Sequence, residues 1–236
     1  LHAMQAGCRA LTLAGILLLV GCAATPVYTR QDVALAAQQN QLELLYKQIQ
    51  ADLAQVKPGT DEELALQTVQ KDIGQRLAQP QQSVVESLRA EAAEKPLSLA
   101  QIDQLEDAAD EIEKWQPERK QELQGLLNTE RERTAQRLQV VSKELGGLPE
   151  GEAGRRNLLL REQGQLTGGK HGDSLQRQAD EELDMLYRQG SEALDKKQLT
   201  VANELLQQVA IVDPKQAGLQ LQVLLSVAMT EHSDEN

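Results

Sequence analysis

The chain has 236 residues, a formal net charge of −12, two cysteines, no Phe, and an aromatic content of only 2%. The excess of carboxylates disfavours nucleic acid as a partner, and equally disfavours docking of the body on an anionic membrane surface. With Tyr28, Tyr46, Trp115 and Tyr187 as the whole aromatic complement, the composition argues against an enzyme with a deep aromatic pocket. Leu, Ala, Gln and Glu dominate, and these are good or fair helix formers. The expected fold class is all-α, with long amphipathic helices and helical hairpins.

The N-terminal stretch decides where the rest would reside. Arg9 supplies a small positive region, and Ala10 to Val20 is apolar. That length suits a secretory signal and falls short of the roughly 20 apolar residues needed to span a bilayer. The chain starts at Leu1, and Met4 or a non-standard initiator would begin translation. The run ends in Leu19-Val20-Gly21-Cys22, which resembles the lipobox of bacterial lipoproteins. The resemblance implies a leader at 1–21, cleavage before Cys22 and acylation of Cys22. Two or more acyl chains would hold firmly, at ~0.8 kcal/mol per buried CH₂. Ala23 and Ala24 follow, with no Asp. By resemblance to the Gram-negative sorting pattern, this implies the outer membrane and a periplasm-facing body, joined by a tether over 22–30. A non-cleaved signal anchor is the alternative. With Cys8 in the leader and Cys22 lipidated, no disulfide is expected in the mature fold.

Thr29-Arg30-Gln31-Asp32 reads as a helix cap. Leu35, Leu42, Leu45, Ile49, Leu53 and Val56 follow at spacings of three, four and seven. That pattern predicts one amphipathic helix of about 25 residues, ended by Lys57-Pro58-Gly59. Thr60 with Glu63 forms a capping box for a helix carrying Leu66, Val69, Ile73 and Leu77, which should stop before Pro80. A shorter helix from Ser83 to Glu94 comes next. Another, opened by Ser98, has Ile102, Leu105, Ala109 and Ile112 on one face. Pro117 suits the first turn of a long helix reaching Leu145, with Leu123, Leu126, Leu127, Val141 and Leu145 as its stripe. Glu130-Arg131-Glu132-Arg133 reads as a solvated face, with a charged docking site as the sharper alternative. The whole of 31–145 is expected to form a helical, coiled-coil-like region.

Residues 146–173 read as one helix, about Arg155 to Leu166, between glycine-rich hinges. Gly168-Gly169-Lys170-His171-Gly172-Asp173 is the clearest expected linker. It is not a phosphate loop, because the Lys follows the glycines too early and no strand precedes them.

From Leu183 the helical pattern sharpens. Leu183, Leu186, Tyr187, Gly190 and Leu194 share one helix face; Asp195 to Gln198 is a polar turn; Ala202, Leu205, Leu206 and Val209 line a second helix, closed by Asp213-Pro214. Gly190 and Ala202 would mark the crossing of the two. This unit of about 34 residues resembles a tetratricopeptide repeat, through Leu186, Gly190, Ala202, Leu206 and Pro214, with Val209 in place of the usual small Ala. Gln189 and Ala193 depart from the family pattern. The domain is expected over 174–229, with 230–236 a flexible tail. A plain helical hairpin is the blander reading. The resemblance implies a groove for a partner on the first-helix face, here Asp184, Tyr187, Arg188 and Ser191.

No catalytic, metal-binding or cofactor constellation is evident. His2, His171 and His232 fall in the leader, the glycine tract and the tail, and a lone His makes a poor metal site. Carboxylate clusters such as Asp180-Glu181-Glu182 read as solvated helix faces. Two functions are carried forward. One is a non-enzymatic, lipid-anchored interaction or scaffold protein, accessory to an envelope secretion, pilus or export assembly, with the membrane and an unidentified envelope protein as partners. The other is a structural helical spacer or self-associating envelope protein.

Overall fold

The structure, a computed structural model, describes residues 28–234. The stretch expected as a leader, and Cys22, lie outside the described residues. The described chain is all-α, with nine α-helices, one 3₁₀ turn and no strand among those residues. It divides into two compact units, Leu1–Gln79 and Pro80–Asn236. The division therefore does not fall at 173/174, where the glycine tract suggested it.

In the first unit, α1 (Arg30–Gln38) opens with the expected cap. The Thr29 hydroxyl accepts from the Asp32 N–H at 3.3 Å, and Asp32 accepts from the Thr29 N–H at 2.7 Å. The single helix expected from 32 to 56 is in fact two. Asn40 turns left-handed, at φ 56°, and α2 (Leu42–Leu53) starts afresh. The break re-aims the stripe, so Leu35 is exposed while Val33, Ala36, Tyr46 and Ile49 are buried. The Tyr28 hydroxyl donates to Asp52 Oδ2 at 2.5 Å; burial, then this bond to a carboxylate, push the phenol pKa well above its ordinary value. Gly59, at φ 80°, closes the next loop, and its N–H donates to Glu63 Oε2 at 2.6 Å. Glu63 N–H in turn donates to Thr60 Oγ1 at 3.3 Å.

The helix that follows, α3 (Asp61–Glu94), runs through Pro80 instead of stopping before it. Pro80 is exposed, and Ala78, Val85, Leu88 and Ala92 are buried at helical spacing on either side of it. A proline forfeits one backbone bond and crowds the preceding turn, costing ~3 kcal/mol; burial of that face outweighs the loss.

In the second unit, α4 (Leu99–Trp115) has the expected capping box, Ser98 with Gln101, and buries Ile102, Leu105, Ala108, Ala109 and Ile112. Pro117 stands in a 3₁₀ turn, Pro117–Arg119, that leads into α5 (Lys120–Gly147). Leu123, Leu127 and Val141 of α5 are buried as expected. The charged run 130–133 is not wholly solvated. Glu130 is 5% exposed, with Oε2 lacking a hydrogen-bond partner and lying 3.9 Å from Arg133 Nη1. Arg133 itself donates to the carbonyl of Ala92, and the buried Thr134 hydroxyl donates to that of Leu97 at 2.6 Å. This stretch is thus the seam of α5 with the end of α3 and the segment that follows it. Val141 continues the core into α6 (Ala153–Thr167) by packing with Leu159 and Leu166.

Candidate partner-binding surface

Four helices build the C-terminal surface: α6, α7 (Gly169–Asp195), α8 (Leu199–Val212) and α9 (Pro214–Asp234). Each packs on the next, α6 also touches α8, and α7 touches α9. The hairpin expected at 183–214 is therefore covered on both sides. Helix α9 continues to Asp234, through most of the stretch expected as a tail.

The glycines explain how the helices come so close. A Cβ on Gly172 would stand 2.3 Å from the Gly164 carbonyl oxygen, and one on Gly154 would stand 2.3 Å from that of Gln208. A Cβ on Gly190 would meet Leu206 Cγ at 2.9 Å. Gly172 and Gly190 are five helical turns apart, at 3.6 residues per turn, so they share one side of α7. Helix α6 crosses at the first and α8 at the second. The tract 168–173 is accordingly no linker. Gly168, at φ 65°, makes the turn, Gly169, at φ 55°, begins α7, and Gly172 holds this first part of the helix against α6.

A polar latch accompanies this contact. Asn157 of α6, fully buried, donates to the main-chain carbonyl of Ala179 in α7. It accepts from Arg161 Nε at 2.9 Å, and Arg161 pairs with Asp180 at 2.6 Å. Sequence patterning missed this latch, since Asn157 interrupts an otherwise leucine-rich helix and offers no periodic signal.

Of the residues expected to pack the repeat, Leu186, Gly190, Ala202, Leu206 and Val209 are buried, whereas Pro214 is exposed. Leu186, Val209 and Leu183 form a cluster with Ala217 of α9. Gly190 sits under Leu206, not Ala202; Ala202, fully buried, packs with Ala193, Leu194 and Leu224. Pro214 begins α9 directly after Asp213, whose Oδ1 accepts from the Lys215 and Gln216 N–H groups at 3.0 Å.

Of the four residues expected to meet a partner, Asp184 and Arg188 lie together on the open face of α7, in a shallow depression shared with Glu181, Met185 and Glu192. Tyr187 and Ser191 do not line it. Tyr187 is half-buried against the α7–α9 cluster, and Gln220 Nε2 of α9 donates to its hydroxyl at 3.4 Å. Ser191 spends its hydroxyl on the Tyr187 carbonyl at 2.9 Å. The seam between α7 and α9 thus carries an aromatic ring with one flank packed, beside a mixed acidic and basic surface. Gln220 belongs to this seam and had no signal of its own in the sequence.

Among the described residues, no helix is long and apolar enough to cross a membrane, and no group of three His, Cys, Asp or Glu side chains is placed to hold a metal ion. No protein-family model, curated protein or solved structure matches the chain.

Proposed function

We propose that this chain is a non-enzymatic interaction module, held by acylated Cys22 to the periplasmic face of an outer membrane, whose α7–α9 seam receives a protein partner. Leu19-Val20-Gly21-Cys22 supports the anchor. One observation carries the binding role: Tyr187 stands half-exposed where α7 meets α9, flanked by Asp184 and Arg188 on an open face. An aromatic anchor beside charged groups is the composition of an interface hot spot. The tetratricopeptide resemblance agrees with that placement, because those hairpins hold partners on the first-helix face. An accessory role in an envelope secretion, pilus or export assembly is the setting that fits these parts.

Two measurements test this reading. Fatty-acid labelling of the chain should be lost in Cys22→Ala; label that persists would remove the anchor. Arg188→Glu should leave the thermal melt unchanged, because the side chain is exposed, and should deplete envelope proteins that co-purify with the parent. An unchanged set of partners would retire the seam as the binding site.

The second reading, a helical spacer, draws on α3 and α5. At 1.5 Å per residue, their 34 and 28 residues reach about 50 and 42 Å. Shortening α5 by whole turns should then impair function, whereas changes at Tyr187 should not.

A further inference from the structure

The chain crosses from its first compact unit to its second inside a helix. The boundary lies between Gln79 and Pro80, in the interior of α3, and proline is the residue a helix interior tolerates least. Pro80 has no N–H, so the Arg76 carbonyl four residues back gains no helical bond from it, and its ring crowds the same turn. Its neighbours in the sequence do not offset that loss. Gln79-Pro80-Gln81-Gln82-Ser83 brings no apolar side chain but the proline ring. The buried stripe of α3 holds Leu66, Ile73 and Ala78 before the boundary and Val85, Leu88 and Ala92 after it. Between Ala78 and Val85 its place is taken by the half-buried amides of Gln81 and Gln82.

Past Pro80, the helix is tied to the second unit. Gln82 Nε2 donates to Gln116 Oε1 at 3.1 Å, Arg89 pairs with Glu122 at 2.9 Å, and the Ala92 carbonyl accepts from Arg133. Ahead of it, Thr60 and Glu63 hold the helix start, and Asp72 pairs with Arg76 within the helix at 3.2 Å. We infer that α3 is two stiff arms joined by a hinge at Pro80, and that it bends there by opening the turn from Arg76 to Pro80. Helices bend sharply at proline, and hinges confine their motion to a few residues. Low local burial lets such a turn open while its flanks stay closed. Gly74, the other poor helix former in α3, is buried and lies within the first unit, so the bend belongs at Pro80. Chain order puts this hinge between the unit that follows Cys22 and the unit that carries the α7–α9 seam. It depends on neither acylation nor a partner.

Spin labels on α3 read the bend directly. The full-length chain would carry Cys8→Ser and Cys22→Ser, so that only introduced thiols react. One label pair goes at the exposed positions Thr68→Cys and Ala90→Cys, on either side of Pro80. A second goes at the exposed positions Gln121→Cys and Lys143→Cys on α5, which contains no proline. Each pair is about 33 Å apart along a straight helix, at 1.5 Å per residue. Dipolar distance measurements should give a distribution across Pro80 roughly twice as wide as the one on α5. Pro80→Ala, an exposed change that restores the bond to the Arg76 carbonyl, should narrow the α3 distribution to the α5 width and leave the α5 pair as it was. Equal widths for the two pairs in the parent overturn the hinge. So does a broad α3 distribution that Pro80→Ala fails to narrow.

Discussion

Asn40 and Lys197 close their helices in the same way, at φ 56° and 58°. The N–H of each bonds to a carbonyl three residues back, Ala37 at 3.3 Å and Leu194 at 2.9 Å. The next N–H reaches five back, Gln41 to Ala36 and Gln198 to Ala193, both at 2.8 Å. These are two Schellman motifs, each with a non-glycine residue in the left-handed position. Asn tolerates that conformation because it has a short polar side chain; Lys is a long-chain L residue, for which the left-handed region costs roughly 1–2 kcal/mol.

Lys197→Gly should therefore raise stability, by about 0.5–1 kcal/mol once the added freedom of the unfolded glycine is subtracted. Asn40→Gly should gain less. Urea midpoints of the two variants check both, and a lower midpoint for Lys197→Gly would contradict the strain argument.

The glycine contacts rank the cost of adding a methyl group. Gly172→Ala drives a Cβ onto backbone at 2.3 Å, which cannot move without separating α6 from α7. Gly190→Ala meets the Leu206 side chain at 2.9 Å, which can shift. Gly125→Ala on α5 meets nothing within 4 Å and should stabilise by up to ~1 kcal/mol through helix propensity alone. The expected order of thermal midpoints is Gly125→Ala above the parent, Gly190→Ala near or below it, and Gly172→Ala lowest, losing about 1–3 kcal/mol.

Glu122 makes acid stability testable at one side chain. Hydrogen bonds from Arg119 and then Arg89 lower its carboxyl from 4.5 to about 2. A carboxyl depressed in the folded state contributes stability that is present above the unfolded pKa and lost as pH falls through the folded one. The window is thus roughly pH 4.5 down to 2, and with Glu122 half-exposed the contribution stays below about 1 kcal/mol. Glu122→Gln should be slightly less stable than the parent at pH 6, and the two should converge near pH 2. A gap that widens on acidification would contradict this.

The glycine tract makes a third kind of prediction. Because 169–173 are helix, held to α6 at the buried Gly172, a broad-specificity protease should spare them. First internal cuts are expected in the exposed loops at 54–60 and 148–152, where little backbone is held by packing. Mass measurement of the fragments decides, and early cleavage at 168–173 would show that the α6–α7 contact opens readily.

What the sequence made legible follows local rules. Thr29, Thr60 and Ser98 announce caps because a hydroxyl at that spot needs only its own first turn. The 102, 105, 109, 112 stripe of α4 reads directly, since one face of one helix is enough to define it. Illegible features depend on what lies across the molecule. Pro80 looks like a stop until Ala78 and Val85 are seen to be buried on both sides. Glu130 looks solvated until Arg133 is found bonded to the end of α3 and Thr134 to Leu97 just beyond it. Gly172 looks like linker because patterning treats glycine as a breaker, whereas here its missing side chain is what the neighbouring helix occupies. At the partner seam, Asp184 and Arg188 were readable as a surface pair, but the half-burial of Tyr187 needed Ala217 and Gln220 from a helix more than twenty residues on.

Helix α7 has α6 and α8 along one side and α9 at its flank, and that enclosure sets a clock on its backbone. Its amides between Ala179 and Leu194 can exchange with deuterium only when those neighbours lift away together, so they should be the slowest in the C-terminal unit. The outward amides of α9 should exchange much sooner in dilute solution.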